Sequence, residues 1–322
     1  MTNSAFVKDY YLANRPLVRG ANVLPIDCTN AETITPLTFT NQILTPFLGW
    51  LATNPTKHPQ YIILFPEIPS AVCVGLDCAN GGSSVSYGLS TSMSGIQPFI
   101  TSINMGLFDT TNDCVHYIDK LKSFGTNNQV LISASAGVYG NTNYYFDDTR
   151  NLDVASYPNA GGAARSGVLA ANPMASVTYS NVVPDPGGLQ GHITTGSNVA
   201  GYLSWSAHSA LGSSYATNGY VTWSGSSGWW IIETIESFNG LREYGGQAFF
   251  LQWFSLGAFG GTNNYSKTPV GAVSHVYEPG GNWNDPATYF GLWEARKNFG
   301  ICSWNSRKTP YFQAVGDPLV TK

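Results

Sequence analysis

A histidine and a serine follow two short apolar runs in the middle of the chain, and such a pair could carry out acyl transfer. Tyr202 and Leu203 lead to a polar turn that ends at His208, and the run 229–235 leads to Ser237. A short apolar run closed by glycine and serine is typical of a buried strand. If the two strands are neighbours in an open α/β sheet, His208 and Ser237 face each other across the crevice at the carboxyl ends. There the imidazole would act as the base and the hydroxyl as the nucleophile.

Other residues near this pair are candidate contacts for a ligand. Backbone N–H groups around Gly240 or Ser209 could hold an oxyanion. Trp205 and Asn239 flank the two catalytic candidates in the sequence. Glu278 follows another apolar run, so its carboxylate is expected on the same sheet edge, either as a polar group of the pocket or as the anchor of a tight turn. Trp205, Asn239, Gly240 and Glu278 are therefore the predicted binding residues.

These two stretches resemble the caspase/gingipain family of cysteine peptidases. In gingipains the second site reads roughly Ala-Cys-Val-Asn-Gly, and the matching run here is Glu236-Ser237-Phe238-Asn239-Gly240. The histidine site usually reads Gly-His-Gly, and here it is Ala207-His208-Ser209. In that fold the catalytic His follows one strand and the catalytic Cys follows the next. The resemblance implies a three-layer α/β sandwich with a mostly parallel central sheet and a site at His208 and Ser237.

This sequence departs from the peptidase pattern, and two functions stay open. Serine stands in place of the cysteine, and both glycines beside the histidine are absent. Glu236 alternates to the other side of its strand and is not expected to orient His208. One reading is a hydrolase that acts on a peptide or an ester. The other is a non-catalytic exported protein of the same fold that serves in binding or assembly at the cell surface, with a peptide, an ester or a glycan as ligand.

The order of short motifs along the chain resembles a second group, an uncharacterised family of bacterial, apparently exported proteins. Its members open with YYxxxRxxPxxNVL and continue with an apolar strand and a GxP turn, and Glu67-Ile68-Pro69 stands here at the place of that turn. The runs 275–279 and 315–319 match two later signatures, and the Gly-Asp-Pro of the second also occurs in gingipain-like peptidases. The resemblance spans residues 9–319. It implies one caspase/gingipain-like domain over residues 1–322, with long loops rich in Gly, Ser and Asn.

The composition indicates an exported or cell-surface protein more than a cytoplasmic enzyme. Charged residues make up 11% of the 322 residues, against roughly a quarter in ordinary soluble proteins. The net charge of -4 and the lack of a Lys/Arg cluster argue against nucleic acid, whose binding depends on phosphate neutralisation. No apolar run approaches the length of a membrane span. The first residues contain no apolar h-region, so no signal peptide is expected within this sequence.

Cysteines and acidic residues leave alternatives open. Cys73 and Cys78 could close a small disulfide in an exported protein, or be two unpaired thiols beside a buried strand. The five histidines show no paired ligand spacing, so no transition metal and no other cofactor are expected. Asp147 and Asp148 could hold a Ca²⁺ ion, although a solvated turn is the commoner explanation.

Two further groups have an ordinary explanation beside a functional one. The run 133–137 loosely resembles a G-x-S-x-G nucleophile elbow, but the turn-like residues after it favour a plain Ser-rich loop. Aromatic residues could form a platform for a sugar or a protein, although such residues more often lie partly in the core. They are Tyr215, Tyr220, Trp223, Trp229 and Trp230.

Apolar runs alternate with helical patterns, which favours a largely parallel sheet with helices on its faces. The patterns predict strands at 21–27, 61–65, 129–132, 176–179 and 270–276. They predict helices at 5–14, from 35 onward with a break at Pro46, and at 109–124, 248–254, 286–298 and 303–313. Residues 139–163 are expected to be rich in loops.

Overall fold

The computed structural model describes residues 2–18, 22–74, 78, 81–95, 97–107, 109–124, 132–133, 141–243 and 247–322. Its helices are α1 (Asn3–Asn14), α2 (Pro36–Phe39), α3 (Thr45–Thr53), α4 (Val85–Thr91), α5 (Thr110–Phe124), α6 (Ala160–Ala171), α7 (Phe250–Trp253), α8 (Pro286–Glu294) and α9 (Phe299–Ser306). A π-helical segment, Thr40–Leu44, joins α2 to α3.

The strands of the described residues are mostly short. They are β1 (Thr33–Ile34), β2 (Tyr61–Leu64), β3 (Ala71–Val72), β4 (Ser83–Ser84), β5 (Phe99–Ser102), β6 (Ile132–Ser133), β7 (Asn143–Asp147), β8 (Ser176–Ser180), β9 (Thr195–Ser197), β10 (Val199–Ser204), β11 (Thr222–Ser224), β12 (Ile231–Thr234), β13 (Gly271–His275), β14 (Phe312–Gly316) and β15 (Val320–Thr321).

Eight of these strands form one sheet in the order β2-β5-β14-β13-β12-β10-β7-β8. Every neighbouring pair is parallel except β13 and β14, which are antiparallel. The five strands from β8 to β13 therefore point one way. When these five strands are numbered 1 to 5 in chain order, their order across the sheet is 2-1-3-4-5, which is a doubly wound arrangement. In such a sheet a ligand crevice is expected where the chain reverses its direction of winding, here between β7 and β10.

The central strands are buried on both faces: α8 and α9 cover one face, and at β10 an aromatic cluster covers the other, where Tyr202 packs against Trp223 at 5.1 Å. All six residues of β10 are buried, as expected for a parallel strand covered on two sides. A Cβ at Gly201 would lie 2.9 Å from the ring of Phe290, so α8 packs directly on β10. A Cβ at Gly271 would lie 2.5 Å from the ring of Phe299, which places α9 on the same face. The mixed α/β architecture with a large, mostly parallel sheet agrees with the sequence prediction.

A buried charge cluster joins the two ends of the described chain. Asp317 accepts hydrogen bonds through Oδ2 from the hydroxyl of Tyr11 at 2.9 Å and from Nε of Arg15 at 3.1 Å. Its own backbone N–H donates to the hydroxyl of Tyr117 at 2.7 Å. The Asp317 side chain has no exposed surface. The Gly-Asp-Pro run near the carboxyl end therefore anchors α1 and α5.

Three sequence predictions of secondary structure were wrong. Residues 22–27 form no strand. The region 139–163 contains β7 and the start of α6 rather than loops alone. The segment 303–313 is not one helix, because α9 ends at Ser306 and β14 begins at Phe312. Of the predicted strand 129–132, only its last residue lies within the described residues, where it opens β6.

Candidate functional site

The ends of three parallel strands converge at one edge of the sheet. The registers pair Ser204 of β10 with Thr234 of β12, and Glu233 of β12 with Val273 of β13. Because the three strands are neighbours and parallel, the segments that carry His208, Ser237 and Glu278 leave the sheet on the same side. The convergence of these strand ends is the arrangement that the apolar runs predict.

His208 ends a short 3-10 turn, Ser206–His208, directly after β10. Its carbonyl oxygen accepts a hydrogen bond from the N–H of Asn151 at 2.8 Å, which fixes the turn against the segment after β7. The half-buried imidazole makes no hydrogen bond to any described residue. Burial lowers the pKa of His208, and the charges of Asp153 and Glu278 oppose that shift without cancelling it. The ring is therefore neutral at pH 7 and can accept a proton or a hydrogen bond.

Ser237 is held by one neighbouring carboxamide. Its backbone N–H donates to Oε1 of Gln247 at 2.7 Å, and Nε2 of Gln247 donates to the Ser237 hydroxyl oxygen at 2.9 Å. The side chain of Ser237 is buried, with the residue only 5% exposed. No hydrogen bond joins Ser237 to His208 in the part of the chain that the structure describes. The fold brings the two strand ends together, but it does not join the two side chains.

The backbone groups proposed for an oxyanion are used within the fold. The N–H of Gly240 donates to the carbonyl of His275 at 2.9 Å, and the N–H of Ser209 donates to the carbonyl of Ser206 at 3.1 Å. A Cβ at Gly240 would lie 2.9 Å from the His275 carbonyl carbon, so glycine allows this close approach. Both donors would have to break an existing hydrogen bond before they could reach an oxyanion.

Two of the predicted binding residues have partners within the protein. Asn239 is fully buried; its Nδ2 donates to the Thr234 hydroxyl at 2.8 Å, and its Oδ1 accepts from the N–H of His275 at 2.8 Å. This side chain thus connects the ends of β12 and β13. Trp205 is 1% exposed, and its indole N–H donates to Oδ1 of Asp148.

Of the four predicted binding residues, Glu278 is the one that is exposed. Its Oε1 accepts a hydrogen bond from the N–H of Gly280 at 2.9 Å, which is the tight turn that was one of the two alternatives. Its charge also acts to raise the pKa of His208, so the carboxylate lies within electrostatic range of the imidazole. Glu278 therefore both stabilises a turn and contributes negative charge to the crevice.

The acidic pair at the end of β7 is buried, not a solvated turn. Asp147 and Asp148 have no exposed surface. Asp148 forms an ion pair with Arg150 at 3.0 Å, and the guanidinium of Arg150 lies 4.9 Å from the centre of the Trp205 ring. Asp147 accepts a hydrogen bond from His192 at 2.9 Å. The turn explanation fails because each carboxylate has a cationic partner inside the fold. Among the described residues there is no group of three or more His, Cys, Asp or Glu side chains that could hold a metal ion.

Glu236 positions the histidine segment, a role that the sequence pattern did not indicate. Its Oε1 accepts hydrogen bonds from the N–H of Ala207 at 3.1 Å and of Ala248 at 3.2 Å. The carboxylate therefore fixes the residue directly before His208, contrary to the expectation that it would not orient the histidine. Burial raises the pKa of Glu236 to about 7, against the lowering effect of these backbone donors. Alternation along a strand failed as a guide because β12 ends at Thr234, two residues earlier.

The predicted aromatic platform lies mainly in the core. Tyr220 is 44% exposed, whereas the other four side chains are buried: Tyr215, Trp223, Trp229 and Trp230. Near the crevice the exposed aromatic ring is that of Tyr157, which is 39% exposed and packs edge-on against Trp283 at 5.3 Å. Trp283 in turn packs against Trp205 at 5.5 Å. Sequence reasoning missed Tyr157 because it falls in the region expected to be loop.

A small concave place lies in the other half of the sheet, between α4 and the loop after β2. Its lining contains no titratable side chain. The polar residues that line it are Ser70, Ser86, Ser102, Asn104 and Gln313. Without an acid or a base it has no group for proton transfer, so the chemistry of the chain is better sought at the crevice.

Cys73 and Cys78 form a disulfide, the first of the two alternatives that their spacing allowed, with their Cα atoms 4.3 Å apart. The residues of the elbow-like run after Ser133 lie outside the described residues. No helix in the described ranges combines the length and the apolar character needed to cross a bilayer.

Comparisons with known proteins give one distant structural match. No protein-family model matches the chain, and no curated protein matches it either. One solved structure, described as "Structure of Protease", is similar to it at 9% sequence identity and a TM-score of 0.49. The match covers 84% of this chain and 66% of that one, so the chain spans just under two thirds of the length of that structure. A similarity this distant carries no argument about activity.

Proposed function

We propose that this chain binds a ligand in the crevice at the ends of β7, β10, β12 and β13 and does not hydrolyse it. The observation that carries the proposal is that Ser237 is buried and hydrogen-bonded within the fold. Its hydroxyl and its N–H are both bonded to Gln247, and the residue is 5% exposed. A serine becomes a nucleophile only when a base is placed to remove its proton, and His208 is not bonded to it.

The side chains that remain accessible favour a ligand with N–H or O–H donors beside an apolar face. The imidazole of His208 is half-exposed and neutral, and the carboxylates of Asp153 and Glu278 lie near it. All three groups accept hydrogen bonds. The exposed ring of Tyr157 adds a flat surface with a polar tip. A peptide or a glycan has this combination of groups.

We also propose that the fold is caspase/gingipain-like and that the chain belongs with the exported bacterial proteins whose motif order it shares. The 2-1-3-4-5 order with antiparallel β14 beyond it supports the first part, since the histidine and the serine follow neighbouring strands. Export to an oxidising compartment is supported by the Cys73–Cys78 bond and by the charged fraction of 11%.

The binding proposal can be tested by NMR on protein with labelled histidine and tryptophan, titrated with short peptides and oligosaccharides. We expect one of these ligand classes to shift the His208 ring resonances saturably and to remain intact after prolonged incubation. His208→Ala should weaken binding tenfold or more. His58 is an exposed residue just before the edge strand β2, so His58→Ala should leave binding unchanged. Release of product by the wild type but not by Ser237→Ala would overturn the proposal.

The second candidate is an acyl-transfer hydrolase that uses the same two residues. The observation in its favour is that the neutral imidazole of His208 and the segment of Ser237 follow neighbouring parallel strands. In that case Ser237→Ala and His208→Ala should each abolish hydrolysis without additive effects, because residues that act as one unit lose function together. Ser237→Cys separates the two candidates further. Its thiol has a far lower pKa than a hydroxyl and should react with thiol-directed electrophiles near neutral pH only if His208 can reach it.

A further inference from the structure

A buried histidine next to the crevice lies between two carboxylates. His192, in the loop between β8 and β9, has its Nδ1 2.9 Å from Oδ2 of Asp147 at the end of β7. Its Nε2 lies 2.9 Å from Oδ2 of Asp185 in the same loop. The side chains of His192 and Asp147 have no exposed surface, and that of Asp185 is 1% exposed. The three groups are therefore withdrawn from water.

The two contacts together fix the protonation state of the ring. A carboxylate only accepts hydrogen bonds, and a neutral imidazole has a single N–H to donate. A bridge from both ring nitrogens to two carboxylates therefore requires the imidazolium cation. The pKa of His192 is raised accordingly: burial opposes the charge, but the hydrogen bonds and charges of Asp147 and Asp185 outweigh it.

Asp185 connects this bridge to the crevice. The same Oδ2 that meets His192 accepts a hydrogen bond from the N–H of Ala210, two residues after His208. Its Oδ1 accepts from the N–H of Gly187 at 2.8 Å. Burial acts to raise the pKa of Asp185, but these backbone donors and His192 lower it overall. The histidine segment is thus held through Ala210 by a carboxylate whose charge His192 balances.

We propose that His192 is a pH-sensitive latch, which fixes the His208 segment while its imidazole is protonated and releases it when the proton is lost. Loss of the proton removes one of the two N–H donors, so one buried carboxylate loses its hydrogen bond to the ring, and the two carboxylates repel each other without a cation between them. Asp185 then no longer holds Ala210 in place, and the crevice loses its shape. The inference rests on the proposed function, because the latch would regulate ligand binding at that same crevice.

The groups around the latch set the direction of the pH effect. Asp147 faces the ring from β7 and Asp185 from its own loop, and Tyr202 of β10 lies close enough for the charge of Asp147 to act on it. Burial raises the pKa of Tyr202 well above its ordinary value, so this phenol stays neutral. The folded-state pKa of His192 is raised above the ordinary 6.5. The stabilisation is therefore complete below about pH 6.5 and is lost as the pH rises through the raised value.

The direct test uses the full wild-type chain without any ligand. NMR of labelled histidine should show both nitrogens of His192 protonated at pH 6, with a pKa above 6.5, while His208 titrates below 6.5 in the same spectra. The exchange protection of the Ala210 amide, corrected for the intrinsic effect of pH, should fall as His192 titrates. The fall should be roughly tenfold for each unit by which the pKa of His192 is raised. A neutral His192 at pH 6, or a constant corrected protection of Ala210, would overturn the latch.

A variant pair provides a second test. His192→Gln cannot carry the charge, so the Ala210 amide should be weakly protected at every pH, whereas the exposed His58→Gln should behave like the wild type. If His192→Gln does not fold, the wild-type titration still decides the question. The readout needs no bound ligand, so a latch that titrates as expected in a protein that binds nothing would contradict the proposed function alone. Ligand binding that is independent of pH across the His192 titration would contradict the latch alone.

Discussion

The carboxamide of Gln247 makes two hydrogen bonds to Ser237, one to the backbone N–H at 2.7 Å and one to the hydroxyl oxygen at 2.9 Å. A serine that awaits deprotonation is usually bonded to its base, whereas this one is bonded to a neutral amide. The hydroxyl therefore helps to fix the segment after β12 in place. This relationship separates a structural serine from a nucleophile more directly than the identity of the residue does.

Removal of Gln247 should destabilise the protein. Gln247→Ala leaves the buried N–H of Ser237 without a partner, which costs about 1–3 kcal/mol of the free energy of unfolding. Urea denaturation measures this difference. The matched control is the exposed Gln190→Ala, which should change the free energy by less than about 0.5 kcal/mol. Equal stabilities for the two variants would mean that the Gln247 bonds contribute nothing.

Glu236 should make the stability of the protein depend on pH below neutrality. Its pKa is about 7 in the folded protein against an ordinary 4.5, so between these values the folded state holds a proton that the unfolded state has released. The free energy of unfolding therefore falls as the pH rises from about 4.5 to about 7, and the loss is complete above that range. Glu236→Gln cannot titrate and should remove this contribution.

The comparison of the wild type with Glu236→Gln isolates that one group. The wild type should lose stability relative to the variant by about 1.4 kcal/mol for each unit of pH within the range. The exposed Glu243→Gln is the control and should show no such trend. A constant difference between the wild type and Glu236→Gln from pH 4.5 to 7.5 would show that Glu236 has an ordinary pKa.

The cluster around Asp317 should contribute far more to stability than an exposed ion pair. Asp317→Asn removes the charge that Arg15 meets in the interior, and breaking such a buried pair costs about 3–5 kcal/mol. Asp9→Asn breaks the exposed pair with Lys8 and should cost between about 0 and 1 kcal/mol. Thermal or urea unfolding of both variants tests this, and similar losses would contradict the assigned role of Asp317.

The disulfide should be visible by mass and should add modest stability. Reduction of denatured protein should add two hydrogens, and the small loop between Cys73 and Cys78 predicts a contribution of about 2 kcal/mol from restriction of the unfolded chain. The double variant Cys73→Ser/Cys78→Ser should lose about this amount, whereas Cys28→Ser, on a free thiol, should not. An unchanged mass on reduction would show that the two thiols are unpaired.

The sequence predicts the strands of the sheet centre well and the elements beside them poorly. β10 and β12 are buried throughout, so their apolar runs are unambiguous. α6 escapes prediction because glycines near its start weaken a helical pattern. The structure shows why glycine is needed at one position of this helix: a Cβ at Gly167 would lie 2.1 Å from the carbonyl oxygen of Ala287 on α8. The close packing of α6 against α8 overrides the low intrinsic preference of glycine for a helix.

The parts of the site that escaped prediction depend on contacts between distant segments. His192 bonds to Asp147 across 45 positions in the chain, and Gln247 bonds to Ser237 across 10 positions. No local spacing encodes these pairs. His208 and Ser237, by contrast, could be placed on one edge because each directly follows an apolar strand. A local pattern thus gives the positions of the site residues, but the fold decides which side chains bond to each other.

The intact mass of native wild-type protein after incubation with a fluorophosphonate, which modifies only activated serines, decides whether Ser237 is a nucleophile. If Ser237 is a structural residue held by Gln247, no adduct should form under conditions that fully label a serine hydrolase. A single adduct that maps to Ser237, and that is lost in His208→Ala, would show that Ser237 is an activated nucleophile and that this protein is an acyl-transfer enzyme.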